Sequence, residues 1–350
     1  MQFNITFILI LYIFEIQNTP SMKTRHYVLL IFSLFILSIL SYTISINKDR
    51  KDISLPNASV NYDIHKDILY KKTPENKELK LDIYQPKNIH KKTPVVIYLH
   101  GGAWVRSDKS VITKNFRQYV LSEMIKNNYT VISIDYTLLN KKIHLDKPLQ
   151  DCKDVLAWIR ENAEIYQLDM DNIGIWGASS GAHLALLTAY NQEPETLPKL
   201  NYAVNFYGPT DLNELFRTDA NPVALEIFKL YARGQFMLRH KKILELTGYN
   251  IENQKKQAIK ECNIYSPLTY VSKETIPTLI FHGTNDDVVD ISQSELLKNA
   301  MENNKIYHKY YIINNAKHTF SNINLHEAKD IARKTVDFMN SMIKETNGVD

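Results

Sequence analysis

From residue 79 to residue 344 the chain alternates short β-branched runs with helical stretches, and few folds accept that order. "VVIYL" (95–99) and "YTVISID" (129–135) are too short for helices and too apolar for edge strands, the mark of strands buried on both faces. Leu79, Leu81 and Ile83 alternate with polar neighbours, as a half-buried edge strand does. Further strands are expected at 172–177, 202–208, 277–283 and 309–314. Helices are expected at 111–126, 149–162, 179–191, 291–303 and 325–344, with Val155, Leu156 and Ile159 on one face of the second. This alternation predicts an α/β architecture, a mostly parallel sheet with helices on both faces. Residues 212–265 interrupt the rhythm with a charged helical insertion, placed where a lid would cover a site at the sheet's carboxyl edge. Val223, Leu225, Ile227, Phe228 and Leu230 in it suit either a lipid-accepting cleft or an ordinary packed helix.

The other end of the chain follows a different logic. Residues 27–46, "YVLLIFSLFILSILSYTISI", carry no charge and match the ~20 residues that span a bilayer. Lys23 and Arg25 precede the run, directly after Met22, in the order of an export signal. The apolar core is longer than the ~7–15 residues of a cleaved signal, and no small-residue cleavage site follows. An uncleaved anchor is therefore expected, with the chain membrane-anchored or exported and facing the extracytoplasmic side. A cytoplasmic protein is the expectation only where this segment is no true signal. Met22 is an alternative to Met1 as the start. The layout read from sequence is an anchor region at 1–46, a polar linker at 47–61 and a catalytic domain at 62–345 with its insertion near 212–265.

Composition removes some classes of function. A net charge of +4, spread without a basic block, argues against a nucleic-acid partner. Cys152 and Cys262 are too few and too distant in sequence for a disulfide framework or a metal-binding spacing. They are read as two buried thiols in preference to one bridge.

The chemistry gathers in three loops. Gly177-Ala-Ser-Ser-Gly181 centres Ser179 between glycines, between an expected strand and an expected helix. A strand that turns abruptly into a helix strains its central residue and leaves no room for side chains two positions either side. Ser179 then stands at a helix N-terminus, where developing negative charge is favoured. Ser180 is flanked by alanines at 178 and 182 and contributes its amide instead. A serine needs a base, and the base an orienting acid, in the order Ser, acid, His for this kind of turn. His318 lies in the loop after strand 309–314, whereas His183 falls inside the helix after Ser179 and reads as packing. Asp286, Asp287 and Asp290 share the loop after strand 277–283, and the pattern alone leaves the acid open among them. "LHGGAW" (99–104) follows strand 95–99, where Gly102, Ala103 and Ser180 amides are the expected oxyanion donors. His100 is expected to hold the loop's shape, and Trp104 to wall a substrate pocket or to pack.

Taken together, His-Gly-Gly-Ala-Trp (100–104), Gly-Ala-Ser-Ser-Gly-Ala-His (177–183), Tyr207-Gly-Pro-Thr-Asp211 and His282-Gly-x-x-Asp286 resemble the α/β-hydrolase esterases and lipases. The nearest branch is that of hormone-sensitive-lipase-like carboxylesterases, feruloyl and acetyl-xylan esterases and kynurenine formamidases. The resemblance runs over roughly 62–345. It implies an eight-stranded sheet, no metal or organic cofactor, and a Ser179–Asp286–His318 triad, since in the family the acid follows His-Gly by two residues. Ser107, Thr137 and Asp290 replace a glycine, an arginine and a proline usual in the family.

The expected function is hydrolysis of a small-molecule carboxylic ester through an acyl-enzyme. An aryl formamidase is the neighbouring alternative. A catalytically inactive, membrane-tethered binding domain is the alternative from another class, and retention of serine, acid and histidine argues against it. A peptidase of the prolyl type lacks the preceding repeats it would need.

Overall fold

The computed structural model describes residues 52–59, 61–191 and 197–343 of the 350-residue chain. The apolar run at 27–46, both candidate start residues and the segment 47–51 lie outside the described residues.

Eight strands form one sheet. They are β1 (Tyr62–Lys72), β2 (Glu78–Pro86), β3 (Thr93–Leu99), β4 (Thr130–Ile134), β5 (Leu168–Ala178), β6 (Tyr202–Phe206), β7 (Thr278–Gly283) and β8 (His308–Ile313). Their order across the sheet is β1-β2-β4-β3-β5-β6-β7-β8. β2 runs antiparallel to both of its neighbours, and every other pairing is parallel. The central strands earn their positions by composition. Every residue of β4 is buried, and only Pro94 of β3 is less than buried.

Alternate residues of each strand feed two apolar layers. Val95, Ile97 and Leu99 face helices α2 (Asp146–Asn162), α3 (Ser180–Tyr190) and α8 (Ser292–Asn303). Val96 and Tyr98 face α1 (Arg117–Lys126) and α9 (Leu325–Asn340). Between β6 and β7 stands the helical insertion, α4 (Leu212–Phe216), α5 (Pro222–Tyr231), α6 (Arg233–Thr247) and α7 (Lys255–Ile264).

Three local differences from the sequence reading have physical causes. β1 carries no apolar run, because it is a bulged edge strand paired on one side only and exposed along much of its length. The helix expected at 111–126 is broken. A 3₁₀ turn at Lys109–Thr113, capped by the Asp108 side chain on the Ser110 amide, precedes α1, and Asn115 between them adopts a left-handed φ of 53°. Residues 52–58, within the segment read as linker, are bound to the domain. The Ile53 amide donates to the Ser321 carbonyl at 2.8 Å, the Ala58 amide to Gln118 Oε1 at 2.8 Å, and the Tyr119 hydroxyl to the Pro56 carbonyl.

Candidate active site

The parallel strands place their carboxyl ends on one edge of the sheet, and the three chemical loops leave from that edge. β5 ends at Ala178 and α3 begins at Ser180, so Ser179 alone makes the turn, at φ 55° and ψ −124°. A side chain on Gly181 would put its Cβ 2.1 Å from the Leu99 carbonyl oxygen, and one on Gly177 would meet the Gly181 oxygen at 2.3 Å. Glycine at both ends of the pentapeptide is thus a packing requirement that lets the turn sit against β3. The Ser179 amide donates to the Phe206 carbonyl of β6 at 2.9 Å, which pins the strained residue to the sheet.

Ser179 Oγ lies 2.9 Å from His318 Nε2, and His318 Nδ1 lies 2.8 Å from Asp286 Oδ2. A neutral imidazole has one N–H. With Nδ1–H given to the carboxylate, Nε2 keeps a lone pair to accept from the serine. Tyr207, itself left-handed at φ 44°, sets its ring edge-on to His318 with centroids 5.0 Å apart.

The structure distinguishes the three aspartates. Asp286 has a fully buried side chain, and its Oδ1 accepts the amides of Val288 and Val289 at 3.0 and 2.9 Å. Asp290 instead accepts the Ser292 amide at the start of α8, and Asp287 is exposed. Burial by itself would raise the Asp286 pKa. Hydrogen bonds from His282 and His318, with the charge His318 can carry, outweigh it and hold the carboxyl down at about 2.

Facing the serine is the loop that follows β3. Gly102, Ala103 and Trp104 take successive positive φ values of 133°, 53° and 62°, which turns their amides away from regular pairing. The amides of Gly102, Ala103 and Ser180 donate to no carbonyl or side chain among the described residues. Free donors converging near a nucleophile are what a developing oxyanion requires. His100 braces the loop from below. Its Nδ1–H donates to the Gly101 carbonyl at 2.9 Å, its ring stacks on Tyr136 at 4.2 Å, and the Tyr136 hydroxyl donates to the His100 carbonyl at 2.7 Å.

Of the two roles open to Trp104, packing fits its position and a pocket wall does not. It is 4% exposed, and its indole N–H donates to His183 Nδ1 at 3.2 Å. His183 passes the contact on through Nε2–H to the Tyr265 carbonyl at 2.7 Å, so it is buried, neutral and structural. Ser180 Oγ is buried without a partner among the described residues, which leaves its amide as the useful group.

Two further contributors are given no role by the sequence. His282 stands at the end of β7 with Nε2 3.3 Å from Asp286 Oδ2 and 2.8 Å from the Val289 carbonyl, while Nδ1 accepts from the Ser294 hydroxyl at 2.7 Å. Lys242, on α6, reaches the Ala103 carbonyl at 3.4 Å while paired with Glu245 at 2.8 Å. Only the motif spacing marks His282, and nothing short of the fold brings Lys242 to the loop. Cys152 and Cys262 are both free and buried, and no cluster of metal-ligating side chains occurs among the described residues.

Comparison with known proteins agrees with this frame. The BD-FAE family model matches residues 81–301. Esterase LipQ of Mycobacterium tuberculosis is 26% identical over 278 residues, covering 76% of this chain and 60% of that protein. The non-reducing polyketide synthase prhL of Penicillium brasilianum is 23% identical over 355 residues, covering 82% of this chain. The chain spans only 14% of that synthase. The solved structure of Esterase B from Lactobacillus rhamnosis superposes with a TM-score of 0.64 at 17% identity, over 92% of this chain and 96% of that one, a likeness of fold. With its sheet order, its serine turn and most of its length covered by the family model, the chain belongs to the BD-FAE family of α/β-hydrolase-fold proteins.

Proposed function

We propose that this protein is a serine hydrolase that cleaves carboxylic esters, with Ser179 as nucleophile, His318 as base and Asp286 as the acid that orients it. The observation that carries the reading is the unbroken relay from Ser179 Oγ through His318 to buried Asp286, at 2.9 and 2.8 Å. The esterase names borne by LipQ and Esterase B support it.

In this reading Ser179 Oγ adds to the ester carbonyl carbon as its proton passes to His318 Nε2. The carbonyl π electrons move onto oxygen, and the oxyanion takes hydrogen bonds from Gly102, Ala103 and Ser180 amides. The Asp286 carboxylate, held ionised, stabilises the imidazolium. Collapse of the intermediate breaks the carbon–oxygen bond to the alcohol, which leaves with the His318 proton. Water then attacks the acyl-serine with His318 as base again, releasing the acid and restoring Ser179.

The same reading places the protein at a membrane on its extracytoplasmic side. It takes residues 27–46 as an uncleaved anchor and 62–345 as the catalytic domain, supported by the uncharged length of the run. Basic residues flank the run on both sides, Lys23 and Arg25 before it and Lys48, Arg50 and Lys51 after it, so the charge count does not set the orientation. A panel of p-nitrophenyl esters of increasing acyl length, run beside N-formylkynurenine on wild type and Ser179→Ala, tests the chemistry. Ester turnover lost in the variant is expected. Turnover of N-formylkynurenine alone would assign a formamidase, and no turnover without fluorophosphonate labelling would sink the hydrolase reading.

A further inference from the structure

The helix α5, "PVALEIFKLY", is apolar along most of its length, yet none of its residues is buried. Val223, Leu230 and Tyr231 are 65%, 75% and 76% exposed, and Met237 and Leu238 on α6 are 57% and 54% exposed. A soluble surface seldom leaves so many large apolar side chains together on one pair of helices, and such patches mark interaction faces. Packing accounts for part of this helix, since Leu225, Ile227 and Phe228 are half-buried and Phe228 meets the Phe236 ring at 6.1 Å. Val223, Leu230 and Tyr231 are left without a packing partner among the described residues.

The α6 end of the patch lies beside the candidate site. Leu238 and Lys242 are four residues apart on α6 and share a helix face, and Lys242 touches the Ala103 carbonyl of the loop that faces Ser179. On the acid's loop, Val288 is 62% exposed while its amide donates to Asp286. The rim of the site thus carries exposed apolar groups from two separate segments.

The path of the chain selects the occupant. The first described residues are tied to the loop of the candidate base. Ser321, which ends the 3₁₀ turn His318–Phe320, donates through its hydroxyl to Asp52 Oδ1 at 2.7 Å and accepts from the Ile53 amide at 2.8 Å. Only five residues, Asn47 to Lys51, separate Asp52 from the end of the apolar run. A chain of that length reaches at most ~20 Å at ~3.3–3.6 Å per residue. Lys48, Arg50 and Lys51 among those five suit anionic headgroups.

We propose that the site-bearing edge of the domain docks on a lipid bilayer, with Val223, Leu230, Tyr231, Met237 and Leu238 entering the headgroup region. The site then opens onto the membrane and draws its ester from lipid held there. This rests on the anchor and ester readings above and adds an orientation to them.

The full chain in nanodiscs of phosphatidylcholine and phosphatidylglycerol tests it. Leu230→Cys, Leu238→Cys and, at the amino edge before β5, Ile165→Cys (72% exposed in the native chain) are labelled singly with an environment-sensitive fluorophore, the native cysteines being buried. Doxyl lipids are expected to quench the labels at 230 and 238 by about half, consistent with burial ~5–10 Å into the interface. The label at 165 is expected to keep its emission. Absence of quenching at 230 and 238 overturns the proposal and points to a protein partner for the patch; equal quenching at 165 overturns it as well. Quenching is independent of turnover, so hydrolysis of p-nitrophenyl acetate by the same discs reports separately on the ester reading.

Discussion

His282 and His318 share one oxygen of Asp286: His282 Nε2 stands 3.3 Å from the same Oδ2 that His318 Nδ1 meets at 2.8 Å. The acid is therefore held by two imidazoles, and one of them is fixed in turn by Ser294 and Val289. Replacing His282 by Phe keeps a ring of similar shape but removes a donor to a buried charge, worth about 1.5–3 kcal/mol. We expect His282→Phe to lower kcat about tenfold or more with little change in KM, and to lower the Tm. Steady-state kinetics with thermal unfolding check this, and unchanged kcat would show that His318 alone positions the acid.

Acid should destabilise the fold in two stages. His100 and His183 are each pushed down to about 4 from 6.5, chiefly by burial. A depressed pKa means the unfolded chain binds the proton first, so this stability is complete above pH 6.5 and is lost as pH falls toward 4. Each contributes up to about 3 kcal/mol. Asp286, at about 2 against its usual 3.8, contributes about 2 kcal/mol more, lost between those values as pH falls. Tm measured against pH should therefore begin to fall near 6.5, and Asp286→Asn should remove only the lower stage. A flat Tm down to pH 4 would contradict the burial of the two histidines.

Gly102 is the hinge of the loop facing Ser179. At φ 133° an added Cβ would stand 2.0 Å from the Arg106 carbonyl oxygen. Gly102→Ala must therefore move the loop, and kcat/KM should fall by about 10²-fold, the loss typical of one oxyanion donor. Circular dichroism on the same sample separates this from global unfolding.

Trp104→Phe removes the only donor to His183 Nδ1 among the described residues while keeping most of the ring. The unpaired buried nitrogen should cost about 1–3 kcal/mol in denaturant unfolding. Ester turnover should survive, since the indole packs beneath the loop; a large rise in KM would restore it to the substrate pocket.

Lys242→Met takes the ammonium from the Ala103 carbonyl. A weak charge-assisted contact of about 1 kcal/mol corresponds to roughly fivefold in rate. We expect a drop of that order in kcat, partly restored by Lys242→Arg.

What the sequence determined by itself was the set of local decisions. Alternating apolar runs placed seven of the eight strands, and the glycine spacing singled out Ser179, because strand burial and a strained turn are written in neighbouring residues. β1 escaped because a one-sided, bulged edge strand needs no apolar pattern. Which aspartate meets His318 was open on spacing alone, since Asp286, Asp287 and Asp290 share one loop. Tertiary structure decided it by burying one carboxylate between two histidines and two amides while leaving Asp287 exposed and turning Asp290 to a helix end. The pairing of Trp104 with His183 and the reach of Lys242 to Ala103 were decided in the same way, across 79 and 139 residues of chain. Contacts between such distant residues depend on how the layers stack, and no local pattern encodes that.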